Sequence, residues 1–308
     1  MISLSVSPDE RAGQGFCDSY SESLNHSIIL AAGSLMGALY LVATPIGNMQ
    51  DITLRALDVL RAVPLVAAED TRSARRLLDH FGIKSRLISY NEHNARARTP
   101  ALLDALARGD VAVVSDAGMP GISDPGHDLV VAAADAGHAI VPVPGASAVV
   151  AAVAASGLPS RRFHYLGFLP RQPGPRRAAL RAAAASGDTL VVYESPHRLR
   201  QTLSDMLAAL GDRRIAACRE LTKLYEEIWR GSVSGAIAHF TEPRGEFTLV
   251  IEGGPPSVSE AAGGAPDVSA TIAELRAAST PSKEAVAELM RRCGLARRAA
   301  YAAWHRRD

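Results

Sequence analysis

A chain of 308 residues, 47% hydrophobic and 21% charged, is long enough to bury one large core or two modest ones. Its 33 Lys+Arg against 32 Asp+Glu give a formal charge of +1, which excludes a uniformly basic nucleic-acid binder but leaves room for local basic patches. Cys17, Cys218 and Cys293 form no CxxC pair and the nine histidines no HxxxH or HExxH pair, so a disulfide framework and a metal site are both disfavoured and a reducing, cytoplasmic setting is expected.

In chain order, the opening MISLSVSPDERAGQGFCDSYSESLNHS carries its acids ahead of a short apolar run, the wrong order for a secretory leader. Residues 1–38 are expected to be a disordered or non-native extension, with Met36 as a candidate start. No run approaches the roughly 18–20 apolar residues of a membrane helix. From Leu39 the pattern is regular. LYLVAT (39–44), PLVAAE (64–69), RLISY (86–90), VAVVSD (111–116) and AIVPVP (139–144) read as strands. Between them DITLRALDVLRAV, TRSARRLLDHFG, TPALLDALARG, PGHDLVVAAADAG and ASAVVAAVAASG read as helices. Strands alternating with helices predict βαβ units and a largely parallel sheet covered on both faces. SGLPSRR (156–162) reads as a hinge between an N-terminal α/β domain (39–157) and a second (160–254), whose strands FHYLGFLP, DTLVVYES, RRIAACREL and GEFTLVIEGG are fewer and of mixed order. Helices are expected at 175–186 and 197–210. PPSVSEAAGGAPDVS (255–269) has linker composition, and 270–308 reads as a small helical module.

Four strand ends are rich in turn residues: ATPIGN (43–48), AEDTRS (68–73), SDAGMPG (115–121) and VPGASA (143–148). Each has a plain structural reading, as a turn or a helix cap. Together they lie at the carboxyl edge of one parallel sheet, where open α/β folds bind ligands. No G-x-G-x-x-G and no GxxxxGK[ST] is present, so neither a dinucleotide clamp nor a P-loop is available. What remains is backbone amides, small apolar surfaces and Asp116, an inventory that suits S-adenosylmethionine.

LYLVATPIGNMQDITLRALDVL, AAEDTRSARRLL, VSDAGMPGISDPG, VPVPGASAVVAAVAASGLP, FHYLGFLP, YESPHRL, CRELTKLYEEIWRG and GEFTLVIEG resemble, in order, the tetrapyrrole-methylase superfamily, and within it the branch of bacterial 16S ribosomal RNA cytidine 2′-O-methyltransferases. The resemblance covers about residues 39–254. It implies an α/β, two-domain class III methyltransferase with the cofactor cleft between the domains, a small helical C-terminal module, and a homodimer. TPIGN stands where tetrapyrrole and diphthine methylases typically carry a glycine-rich loop.

The implied reaction is displacement: a ribose 2′-hydroxyl in the decoding region of 16S ribosomal RNA attacks the methyl of S-adenosylmethionine. For the cofactor the resemblance points to Pro45, Ile46, Gly47 and Asn48; to Asp116, Ala117, Gly118, Met119 and Pro120; and to Gly145, Ala146, Ser147 and Ala148. From the second domain it adds Gly167, Phe168, Tyr193, Arg219, Glu220 and Gly245. Glu69, Asp70, Glu220 and Lys223 are the catalytic candidates, with the base left open among them. Arg72, Arg75, Arg76, Arg161, Arg162, Arg171, Arg176 and Arg177 are the candidate RNA contacts, although any single arginine cluster also suits an ordinary solvated face. The alternatives are a small-molecule methylase acting on a tetrapyrrole and a ribosome-binding protein without catalysis.

Overall fold

The computed structural model of the chain describes residues 37–254, 268–278, 280–293 and 295–305. The extension up to residue 36 and the connector over 255–267 lie outside the described residues. Gly37 and Ala38, assigned to the extension, belong to the fold: Gly37 N donates to Leu106 O at 2.8 Å and Ala38 N to Asp110 Oδ1 at 2.8 Å. The chain forms two compact units. One runs to Ala151 and takes in Glu220–Glu226; the other comprises Ala152–Arg219 and Glu227 onward.

The first unit is a five-stranded parallel sheet of β1 (Leu39–Val42), β2 (Leu65–Ala68), β3 (Arg86–Ser89), β4 (Val111–Val114) and β5 (Ile140–Val143), in the order β3-β2-β4-β1-β5. Side chains alternate between two covered faces. Tyr40, Val42, Val66, Ala68, Ala112 and Val114 pack against α1 (Leu54–Ala62) and α2 (Thr71–His80) through Leu57, Leu60 and Leu78. Leu39, Ala67, Val111 and Val113 pack against α3 (Ala95–Leu106) and α4 (His127–Asp135) through Leu102, Leu106 and Leu129. Burial on both faces explains why these strands read as unbroken apolar runs. Thr53 and Asp70 accept from Ala56 N (3.0 Å) and Arg72 N (2.8 Å), capping α1 and α2. α3 starts earlier than TPALLDALARG predicts and runs through Pro100. Asn91 and Asn94 close the preceding turn, with Asn91 N donating to Asn94 Oδ1 at 2.9 Å and Ala95 N to Asn91 O at 2.8 Å.

α5 (Ala148–Ser156) leads into the second unit, whose sheet is β6 (Phe163–Phe168), β7 (Thr189–Glu194), β8 (Arg214–Arg219), β9 (Glu227–Ser232) and β10 (Phe247–Ile251). The order is β6-β7-β10-β8-β9, parallel only between β6 and β7. Leu190, Val192, Ile215, Ala217, Leu249 and Ile251 pack on α6 (Pro173–Ala184), α7 (Pro196–Leu210) and α8 (Val233–His239). β9 and α8 went unread in the sequence: β9 is a half-exposed edge strand whose EIWRGS has no apolar alternation. Its Trp229 packs against Gly231, where a Cβ would come within 2.4 Å of the indole.

One candidate RNA contact is contradicted by its burial. Arg176 is fully buried on α6, with Nε donating to Asp205 Oδ2 at 2.8 Å and Nη1 to Arg171 O at 2.9 Å, so it holds the helix pair together and cannot reach a phosphate. The tail forms α9 (Val268–Ala277), α10 (Ser282–Cys293) and α11 (Arg297–His305) around Leu275, Ala285, Val286, Leu289 and Ala300. Val268 and Ser269, placed in the connector by composition, open α9. No helix among the described residues is long and apolar enough to cross a membrane.

Candidate active site

At the carboxyl edge of the first sheet the turn residues close on one another. Thr44 N donates to Gly118 O (2.9 Å) and Gly118 N to Thr44 O (3.0 Å), a two-bond bridge that joins the loops after β1 and β4. Thr44 Oγ1 adds a bond to Ser115 O at 3.2 Å. Gly118 sits at φ +82°, a conformation that suits glycine, and a Cβ there would meet Ile46 and Ala146 O only at ordinary contact distance, so the demand for glycine is conformational. Gly145 is required for a different reason: a Cβ there would lie 2.9 Å from the Ala43 Cβ. Pro45–Asn48, Asp116–Pro120 and Gly145–Ala148 therefore meet as one surface of backbone and small side chains.

The segment Glu220–Glu226 reaches the same edge. A Cβ on Gly47 would fall 2.4 Å from Lys223 Cγ and 2.8 Å from Thr222 Oγ1, and Asn48 N donates to Thr222 Oγ1 at 3.1 Å. Glu220 (φ +49°) and the β-branched Thr222 (φ +66°) are both left-handed, strain that recurs at functional sites. Glu226 accepts from Thr222 N at 2.6 Å and Lys223 Nζ meets Glu220 Oε1 at 2.9 Å, which locks the segment. Gly47→Ala will force this segment away and weaken cofactor binding at least tenfold by calorimetry, with the global unfolding midpoint changed little; an unaltered affinity would show that the close approach is incidental.

Acids gather beside the bridge. Asp116 N donates to Glu69 Oε2 at 3.3 Å. Burial pushes the Glu69 carboxyl above its ordinary range, with Asp116, Glu92 and Asp70 adding repulsion against that hydrogen bond. Asp116 is raised by burial and then by Asp70, offset in part by Arg72 and Arg76. Asp124 is pushed up to about 6 by burial and the Glu69 charge. Asp70 behaves oppositely: hydrogen bonds from the Arg72 side chain and amide hold it down at about 2. Asp70 is thus a helix cap and an ion-pair partner, and Glu220 is paired with Lys223.

The sequence reading overlooked Asp124, Thr222 and Glu92. Asp124 lies in VSDAGMPGISDPG, a stretch that carries the family resemblance, yet residue type alone assigns it no role. Thr222 gave no signal, because a strained φ is not written in residue type.

In the second unit, Gly167, Phe168 and Tyr193 lie together, with the Phe168 and Tyr193 rings 5.6 Å apart. Arg219 donates to Arg244 O at 2.7 Å beside Gly245 (φ +78°), and Arg219 and Glu194 both pair with Phe247, so these residues share one end of the second sheet. Of the candidate RNA contacts, Arg72 pairs with Asp70 and Arg162 with Asp188 at 2.9 Å. Arg177 lies 3.5 Å from Asp205, while Arg75, Arg76, Arg161 and Arg171 are exposed.

The sequence profile of the tetrapyrrole (corrin/porphyrin) methylases matches residues 38–236. The chain belongs to that family. The chain is 52% identical over 220 residues to a ribosomal RNA small subunit methyltransferase I of Halalkalibacterium halodurans, covering 70% of the chain and 76% of that protein. A relative of the same name from Synechocystis is 51% identical, with 72% and 81% covered. Among solved structures, uroporphyrin III C-methyltransferase from Thermus thermophilus shares the fold at 19% identity and a TM-score of 0.52, covering 70% of this chain and 97% of that one. Methylases of this family take the methyl group from S-adenosylmethionine, and this methylase does the same. The edge fits that donor. Backbone and small side chains line the edge at Gly118 and Gly145, no glycine-rich phosphate cradle occurs among the described residues, and Glu69, Asp116 and Asp124 present negative charge that a ligand bearing a sulfonium and an ammonium group offsets.

Proposed function

We propose that this methylase transfers a methyl group to the 2′-hydroxyl of a cytidine ribose in the decoding region of 16S ribosomal RNA, acting in the cytoplasm as a homodimer. The identity of about one half to relatives named ribosomal RNA small subunit methyltransferase I carries this reading. The cofactor, when bound, supplies a methyl group already activated by positive sulfur. The chain's own residues must then hold and align. Alignment of this kind contributes about 7–11 kcal/mol to a displacement. Pro45–Asn48, Asp116–Pro120 and Gly145–Ala148 form the cofactor wall, closed by the Glu220–Glu226 segment. Glu69 is the best-placed proton acceptor of the original candidates, because Asp70 is engaged by Arg72 and Glu220 by Lys223. Arg75, Arg76, Arg161 and Arg171 are exposed cations suited to phosphates, which position RNA without reading its sequence.

The test is mass spectrometry of ribose methylation on 16S ribosomal RNA, from cells with and without the protein and from purified small subunits treated with it. A 2′-O-methylcytidine that appears only with the protein is expected. Methylation of a tetrapyrrole instead would assign the small-molecule chemistry, and cofactor binding with no methylated product would leave a non-catalytic binding protein.

A further inference from the structure

β6 carries an irregularity that re-aims one side chain. Tyr165 pairs with Val191, yet the next pair is Phe168 with Tyr193, so three steps along β6 match two along β7. Gly167 at φ +60° absorbs the extra residue. In a regular strand Tyr165 and Phe168 would point to opposite faces. The bulge turns Phe168 to the face of Tyr165, and both rings meet Tyr193, at 5.2 Å for Tyr165 and 5.6 Å for Phe168. Leu166 and Leu169 on either side pack into the core, while Phe168 is 58% exposed.

The loop that follows is pinned from below. Arg198 Nη2 donates to Leu169 O at 2.7 Å, and the buried Arg176 to Arg171 O at 2.9 Å. Phe168 is therefore an aromatic face presented on a fixed backbone, backed by two tyrosines, with the exposed Arg161, Arg162 and Arg171 close by in the chain. Folding alone gives no reason to bulge an edge strand in order to expose a phenylalanine.

We propose that Phe168, supported by Tyr193 and Tyr165, is a stacking platform for an unstacked nucleobase of the RNA substrate, and not a wall of the cofactor site. Proteins that take up single-stranded RNA combine aromatic faces for bases with cations for the backbone, and this surface offers both. The inference rests on RNA being the substrate.

The experiment measures two affinities on the full chain: for a ten-nucleotide oligocytidylate by fluorescence anisotropy, and for S-adenosylmethionine by calorimetry. Phe168→Ala and Phe168→Leu are expected to weaken the oligonucleotide about 5- to 150-fold, the range of one lost base stack. Phe168→Trp is expected to hold it within about twofold, and all three to leave cofactor affinity within about twofold. Unchanged oligonucleotide binding by Phe168→Ala overturns the proposal. So does leucine binding as well as phenylalanine, since only apolar bulk would then be needed. Loss of cofactor affinity in Phe168→Ala returns the residue to the cofactor wall. Failure of the wild-type chain to bind the oligonucleotide or to methylate small subunits overturns the RNA reading itself, and the platform with it.

Discussion

Arg176→Met will destabilise the second unit by about 3–5 kcal/mol, the range for removing one partner of a buried ion pair. The Arg176 side chain is fully buried and that of Asp205 is 13% exposed, so the carboxylate left behind loses its counter-charge where water cannot replace it. Arg177 approaches the other oxygen at 3.5 Å but is itself half in solvent and offsets only part of the loss. The carbonyls of Pro170 and Arg171 lose their donor as well, at 3.3 Å and 2.9 Å. Replacing both partners, as Arg176→Met with Asp205→Leu, removes the orphaned charge and will restore most of the stability. Urea unfolding midpoints of the two single variants and the double measure this. A single variant within about 1 kcal/mol of wild type would show that the pair is solvated in solution.

That arginine also shows where sequence reading stops. In PGPRRAALR, three arginines lie within six positions, and nothing local separates the buried one from its neighbours. The choice is made by Asp205, on another helix and 29 residues away. The strands of the first sheet were legible because burial on both faces writes itself as apolar runs between turn residues. β9 was not, because an edge strand with one wet side needs no such run. The TPIGN, SDAGMPG and VPGASA loops could be read as one site, since parallel strands must put those ends on a common edge. Less visible was the return of Glu220–Glu226 to that edge. It depends on Gly47 having no side chain and on Thr222 accepting a strained φ, and both are properties of the folded backbone.

Turnover and cofactor affinity will both rise as pH climbs through about 6, by up to tenfold per pH unit below it. Asp124 is held up to about 6, and Glu69 and Asp116 are raised in the same direction, so acid neutralises the charges that would face a cationic cofactor. The stability sign is opposite. A carboxyl whose folded value is raised contributes most when protonated, below its ordinary 3.8, and that contribution is lost as pH rises through about 6. Asp124→Asn will therefore stabilise the free protein near pH 7.5, by about 1–2 kcal/mol after allowance for solvent screening, and leave it unchanged near pH 4. The same variant will lower cofactor affinity at pH 7.5 and flatten its pH dependence. Glu69→Gln will cut turnover by about 10²–10⁴-fold, the range of a placed base, well beyond the loss of cofactor affinity that removing one of the three charges brings. Asp70→Asn will change turnover only a few-fold, because Arg72 already neutralises that carboxylate and asparagine can still cap α2. Full turnover by Glu69→Gln, together with a flat affinity profile between pH 5 and 7, would place the proton transfer and the cofactor's positive end away from these acids.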